Sequence, residues 1–210
     1  MTNYTITIAR GFGSGGKDIA TLLASELNIN CYDKRILTLA SQMSGYGEEE
    51  FLKVDEKLRG GYLINKIKEI PDLLKPFPEE HAFISDIHLY EFQKKIILGL
   101  AKAESCIIVG KCADYILRDK ENVMSIYIEA PRPYCRSRIM DKMQISAEKA
   151  DELITKTDKY RADYYKFYTN GNYWTNPVNY DMTLNSERVG GSKECAEVIK
   201  SYLRMKGFIE

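Results

Sequence analysis

An α/β fold is what this sequence predicts: a five-stranded parallel sheet carrying helices on both faces. Three observations predict it. The first is Gly11-Phe12-Gly13-Ser14-Gly15-Gly16-Lys17-Asp18, which follows the apolar alternation Tyr4–Ala9 and opens a helical run from Asp18 to Leu27. The second is the regular exchange of short apolar runs for segments of helical period along the rest of the chain. The third is that this exchange is interrupted in two places, roughly residues 44–85 and 145–177, which read as insertions into one domain.

The glycine stretch comes first in the chain and in the argument. Gly11, Gly16 and Lys17 meet the pattern G-x-x-x-x-G-K of a phosphate-binding loop. Four glycines in six positions let backbone N–H groups converge on an anion, and the helix that follows adds a positive dipole end. Lys17 is then placed over the terminal phosphates. The next position holds Asp18, where the full pattern carries the Ser or Thr whose hydroxyl ligates magnesium. Asp18 either holds the metal through its carboxylate or favours the helix dipole as an acid in the first turn.

Four more runs have strand character: Ile29–Tyr32, Cys106–Val109, Met124–Ile128 and Tyr180–Leu184. Between and after them lie helical patterns at Ile36–Met43, Asp86–Ala103, Pro133–Lys142 and Ser192–Met205. Strands exchanging with helices imply parallel pairing, and such sheets bind ligands at the carboxyl ends of their strands, where the glycine loop already lies. The first insertion carries Glu48-Glu49-Glu50, Gly60-Gly61 and three prolines. The second is dense in Arg, Lys and Tyr, and its Leu153, Thr157, Tyr160, Tyr164 and Tyr168 recur at helical spacing, with Trp174 close behind. That spacing marks one buried helix face or a homodimer surface in preference to a single-stranded nucleic-acid platform.

Composition narrows the function classes. A chain of 210 residues that is 44% hydrophobic can bury one sizeable core. Thirty basic and thirty acidic residues cancel, so no overall positive field draws nucleic acid or an anionic membrane. With no signal-like start and no apolar run of spanning length, a soluble, cytoplasmic protein is expected. Five scattered cysteines without a C-x-x-C pair read as reduced core thiols, and with two histidines beside them they leave little from which to build a zinc site.

A P-loop at the N-terminus, five strands, and insertions after the second and fourth describe the nucleoside monophosphate kinase architecture. A closer likeness rests on Phe12-Gly13-Ser14-Gly15-Gly16, Tyr32-Asp33-Lys34, Ile108-Val109-Gly110-Lys111-Cys112-Ala113-Asp114, Thr157-Asp158-Lys159-Tyr160-Arg161-Ala162-Asp163-Tyr164-Tyr165 and Asn179-Tyr180-Asp181. Through these, over nearly its whole length, the chain resembles the cytidylate kinase-like family. The resemblance implies a P-loop NTPase fold and an ATP- and Mg2+-dependent phosphotransferase with CMP or a related nucleoside monophosphate as acceptor, the first insertion binding the acceptor and the second closing as a lid. Two positions depart from true cytidylate kinases. Those enzymes follow the loop lysine with Gly-Thr, where this chain has Asp18-Ile19, and they carry Gly-Arg-Asp after the third strand, where it has Gly110-Lys111-Cys112-Ala113-Asp114. A lysine there keeps the charge and loses the bidentate fork.

Phosphoryl transfer asks a protein for cations and alignment more than for covalent chemistry, so the candidate residues are charged ones near strand ends. Lys17 is the loop lysine; Lys111, one residue beyond the third strand, either contacts an acceptor phosphate or is a solvated loop lysine. Arg138 is placed by the resemblance on the donor nucleotide, with Arg136 nearby on the same helix. Lys159 and Arg161 match the lid's basic positions, and Asp158 either orients Arg161 or holds magnesium through water. Asp33 orients an acceptor hydroxyl or base, or caps the helix beginning at Lys34. Asp114 assists the acceptor phosphate. Arg10 pairs with a ligand anion or a neighbouring carboxylate. Two other functions stay open beside the kinase: a catalytically weak nucleotide-binding regulator, and a kinase for a non-nucleotide metabolite.

Overall fold

The computed structural model describes residues 3–33, 36 and 81–210. The chain divides into two compact units, Met1–Asp33 with Ile97–Glu210, and Lys34–Ile96. The expected helix Ile36–Met43 and nearly all of the first insertion fall outside the described residues; Ile36 itself is helical and buried.

The first unit is built on β1 (Thr5–Arg10), β2 (Asn30–Tyr32), β3 (Cys106–Val109), β4 (Val123–Glu129) and β5 (Met182–Asn185). All five are parallel, in the order β2-β3-β1-β4-β5. The strand that leads into the glycine loop is therefore central; it runs two residues past the end of β3 and stops one residue short of the end of β4. Alternation sorts its side chains: Ile6 and Ile8 go to one face, Thr5 and Thr7 to the other, all with 1% exposure or less.

On the first face pack α1 (Gly16–Leu27) and the C-terminal helix, Ser192–Met205. Ile19, Ala20 and Leu23 from one meet Cys195, Ala196, Ile199 and Leu203 from the other, over Ile6, Ile8, Ile126 and Ile128. Spacings of three, four and eight put these residues on one helical stripe. Each fully buried Leu or Ile there contributes on the order of 2 kcal/mol. The N-terminus of α1 is thereby fixed under the loop.

Helix α2 (His81–Ala103), reaching further back than the expected Asp86, lies in the second unit as far as Ile96. A short helix that the apolar pattern did not announce, α3 (Ala113–Leu117), follows β3 and packs on β1 and β4. After β4 come α4 (Arg132–Met143) and α5 (Ala147–Tyr168). Gln144 ends α4 in a left-handed conformation, and the Ser146 hydroxyl caps α5 by accepting from the Lys149 amide at 3.3 Å. These two helices meet through Cys135, Ile139, Ala150 and Ile154. The second insertion is thus chiefly one 22-residue helix.

The aromatic stripe is a packed helix face: Tyr160 and Tyr164 are 7% exposed, and the rings run in contact from Tyr160 through Tyr164 to Tyr168. Trp174 lies edge-on to Tyr127, which stacks on Tyr180. The last strand begins at Met182, two residues later than its apolar pattern suggests, because the Tyr180 amide donates to the Pro177 carbonyl and the Asp181 amide to the Ser125 hydroxyl, leaving neither for the ladder. A four-residue helix, α6 (Ser186–Val189), precedes the C-terminal helix, α7 (Ser192–Met205). Four of the five cysteines are buried, and burial lifts Cys106 and Cys135 to about 11, as expected of inert thiols. Among the described residues, no helix is long and apolar enough to cross a membrane.

Candidate functional site

The glycine loop occupies residues 11–15, between β1 and α1. Gly13 and Gly15 have φ of 89° and 87°, which a side chain disfavours. Space decides as firmly as torsion: a Cβ on Gly13 would lie 2.7 Å from the Cys135 carbonyl oxygen, and one on Gly16 would lie 2.6 Å from the Cβ of Arg10. Ser14 is fully buried and turned inward; its hydroxyl donates to the Gly11 carbonyl at 2.9 Å, while Ser186 donates to the Ser14 carbonyl at 2.6 Å. Gly15 caps α1 with no side-chain bond, so the leading N–H groups of the helix are left for an anion.

Around this loop the candidate cations and carboxylates are already matched. Lys17 reaches Asp33 at 3.1 Å, and Arg10 approaches the same carboxylate at 3.7 Å. Arg10 thus has a neighbouring carboxylate as a partner. The capping alternative for Asp33 concerns a helix outside the described residues. Asp18 takes Arg138 at 2.6 Å and Lys142 at 3.5 Å, and Arg138 also donates through Nε to the Gly13 carbonyl at 3.1 Å. Arg136 is engaged elsewhere, with Asp151 at 3.0 Å.

From the long helix α5 two residues come down onto the loop. Asp158 accepts from the backbone N–H of Phe12 at 2.8 Å, and Arg161 donates to the Arg10 carbonyl at 2.9 Å. The two are paired at 3.3 Å, and the Arg161 guanidinium lies 5.5 Å from the centre of the Phe12 ring. Burial raises the Asp158 carboxyl above its ordinary range, with Arg161 and the Phe12 amide opposing and Glu129 adding to the rise. Lys159, between them in sequence, is exposed.

The turn after β3 holds Lys111 and Asp114. Gly110, Lys111 and Cys112 are all left-handed, at φ of 74°, 60° and 55°. A side chain on Gly110 would run into the Arg10 guanidinium, which places this turn beside the loop. Asp114, in the first turn of α3, is 5% exposed and accepts from the Tyr165 hydroxyl at 2.7 Å; burial lifts its carboxyl to about 6. Its carboxylate is thus turned to α5. A cleft of about 490 Å³ is lined by Asp114, Tyr165, Tyr180, Arg118 and Lys206 among others, and no residue of the glycine loop lines it.

One carboxylate escaped the sequence reading. Glu129, the last residue of β4, accepts from the Tyr127 hydroxyl at 2.5 Å and from the Ala130 amide at 3.0 Å. Its carboxylate lies against Gly11, where a Cβ would run into Oε1 and push that side chain aside. Its place at the carboxyl end of the strand next to β1 is the signal that would have found it. Among the described residues, no group of three His, Cys, Asp or Glu gathers where it could hold a metal.

The sequence profile of the cytidylate kinase-like family matches residues 5–188. Among solved structures, an uncharacterized protein from Eubacterium ventriosum ATCC 27560 is similar at 24% identity, over 96% of this chain and 99% of that one, with a TM-score of 0.68. TT1252 from Thermus thermophilus follows the chain at 17% identity, over 98% of each, with a TM-score of 0.53. Shikimate kinase from Bacteroides thetaiotaomicron does so at 10% identity, over 96% and 97%, with a TM-score of 0.51. At these identities the likeness is one of fold. No curated protein matches the chain.

Proposed function

This chain belongs to the cytidylate kinase-like family, and we propose that it is an ATP-dependent phosphotransferase of the nucleoside monophosphate kinase type, with CMP or a related nucleoside monophosphate as acceptor. The observation that carries the reading is the uncapped N-terminus of α1 behind a glycine loop, with Lys17, Arg10, Arg138 and Arg161 all within reach of that loop. Oriented amides and a dipole end bind the phosphates, and preorganised cations stabilise charge as it spreads over the transferring group. Lys17 exchanges Asp33 for the terminal phosphates. Arg161 exchanges the Arg10 carbonyl for a phosphate oxygen, which moves α5 as a lid, while Asp158 keeps the guanidinium oriented. Lys111 meets the acceptor phosphate, and Asp114 supports that turn through its bond to Tyr165.

Magnesium enters this reading on the nucleotide. The described residues make no metal cage, and both oxygens of Asp18 face cations. Such an ion commonly keeps its waters and takes substrate phosphates with one or two carboxylates.

A second reading is favoured by one distance. Asp33 lies 3.1 Å from the loop lysine, and a carboxylate beside the point of transfer suits an alcohol, which must lose a proton, better than a nucleotide phosphate, which is largely dianionic near pH 7 with a second pKa of about 6. That acceptor is a hydroxyl-bearing, non-nucleotide metabolite. A coupled ADP-release assay with magnesium, over a panel of nucleoside monophosphates and small alcohols, separates the two. Turnover above about 1 per second on a monophosphate supports the first reading, and the same rate on an alcohol replaces it with the second. ATP binding without turnover on any acceptor overturns both in favour of a regulator.

A further inference from the structure

We infer that Asp18 is a positioning residue for the donor nucleotide: it holds the Arg138 guanidinium across the glycine loop and does not ligate magnesium. The inference rests on the proposed reading of the loop as an ATP site.

Arg138 arrives from α4, a different part of the chain, and is fixed there by two acceptors. Its Nε donates to the Gly13 carbonyl at 3.1 Å and its Nη2 to Asp18 Oδ2 at 2.6 Å, while the Tyr134 ring centre lies 5.6 Å away. One acceptor belongs to the loop and the other to the first turn of α1, so the planar group bridges from one to the other. Gly15 gives it room: a Cβ there would already be 3.4 Å from Nη2. Among the described residues Nη1 has no protein acceptor, so one edge of the fork remains for a bound anion. An arginine side chain loses much rotamer freedom on being fixed, and a protein that fixes it before the ligand arrives does not spend binding energy on that ordering. Without Asp18 the Gly13 carbonyl alone would hold it.

The same geometry argues against a metal. Magnesium takes oxygen ligands at about 2.1 Å and parts reluctantly with water. At Asp18 it would have to displace a guanidinium from one oxygen and enter beside the Lys142 ammonium, 3.5 Å from the other. The position that follows the loop lysine has exchanged one task, anchoring a cation that comes with the substrate, for another, anchoring a cation that belongs to the protein.

Calorimetric titration of ATP, in EDTA and again in magnesium, tests this on wild type, Asp18→Asn, Asp18→Glu, Arg138→Ala and the double variant Asp18→Asn/Arg138→Ala. Asp18→Asn is expected to weaken ATP by about fivefold under both conditions, the scale of one well-oriented, partly exposed ion pair. Asp18→Glu recovers part of the loss. The double variant binds no more weakly than Arg138→Ala alone, because both changes remove one tether. In steady state, Asp18→Asn raises the KM for ATP more than it lowers kcat. A loss seen only with magnesium makes Asp18 a metal ligand and overturns the inference, as does wild-type affinity in Asp18→Asn or additive losses in the double variant. If Asp18→Asn does not fold, Arg138→Lys answers the same question: it keeps the charge without the fork, and wild-type affinity for ATP in that variant overturns the inference equally. A wild-type protein that binds no ATP removes the proposed function itself, a result distinct from a wild type that binds ATP and is indifferent to Asp18.

Discussion

Two turns close neighbouring central strands, and they solve one conformational problem differently. The turn after β1 enters the left-handed region at Gly13 and Gly15; the turn after β3 enters it at Gly110 and then twice more, at Lys111 and Cys112. Glycine does this freely, whereas each side-chain-bearing residue there costs about 1–2 kcal/mol. The first turn is braced by hydroxyls and carbonyls from the loop itself and from Ser186. The second is braced from outside, where Asp114 in the following helical turn is bonded to Tyr165. The backbone before α1 meets its torsions with glycine, while the backbone after β3 keeps the side chains of Lys111 and Cys112 and is held in place by a buried hydrogen bond.

The largest way to break this contrast is Gly13→Ala. A methyl at a φ of 89°, aimed at the Cys135 carbonyl from 2.7 Å, has a rigid neighbour, and a loss of about 3 kcal/mol in urea unfolding is expected. A change under about 1 kcal/mol would mean that the loop is not held against α4 as described. Next comes Lys17→Ala, expected to lower turnover on the order of 100-fold because the lost charge acts most strongly on the transferring phosphoryl group. An active parent with an unaffected variant would remove the catalytic role of the loop.

A smaller effect, but one with a sign, belongs to Asp114. Its carboxyl is lifted by burial to about 6, so the folded protein favours the protonated form. The stability this contributes is present below the ordinary carboxylate range and is lost as pH rises through about 6. Asp114→Asn, which can still accept from Tyr165, removes that dependence. Measured against wild type, the variant should gain about 2 kcal/mol between about pH 4 and about pH 7. A difference flat across that range would show that the second turn is not braced by a buried ionisable group. The smallest effect is Lys111→Gly. Relief of the left-handed strain is partly offset by the freedom of glycine in the unfolded chain, so a gain below about 1 kcal/mol is expected, and a loss would overturn the view of this turn as strained.

The same contrast explains what could be read in advance. The glycine loop was legible because its torsions are written as glycines. The five strands were legible because each is a short apolar run, although the last begins late where Tyr180 and Asp181 turn to other partners. The strained turn after β3 was hidden, since Lys111 and Cys112 look ordinary in sequence. Helix α3 is too short to show a period. Hidden most completely were the partners: Asp18 finds Arg138 across 120 residues, and Phe12 finds Asp158 across 146. Spacing along a chain carries no information at that range, so sequence leaves Asp18 between metal and dipole and does not point to Arg138 as its partner. Glu129 belongs to no local motif; only its place at the carboxyl end of a strand beside β1 marks it.

The hydrogen bond from Phe12 to Asp158 makes a single proton into a gauge. The Phe12 amide hydrogen can exchange with deuterium only when the carboxylate lets it go, and the carboxylate sits on α5, three residues from the arginine that grips β1. With reclosing faster than chemical exchange, its exchange rate therefore reports what fraction of the time the helix and the loop are apart. Followed with and without nucleotide, one amide on the loop would report the opening of a helix whose sequence begins more than a hundred residues away.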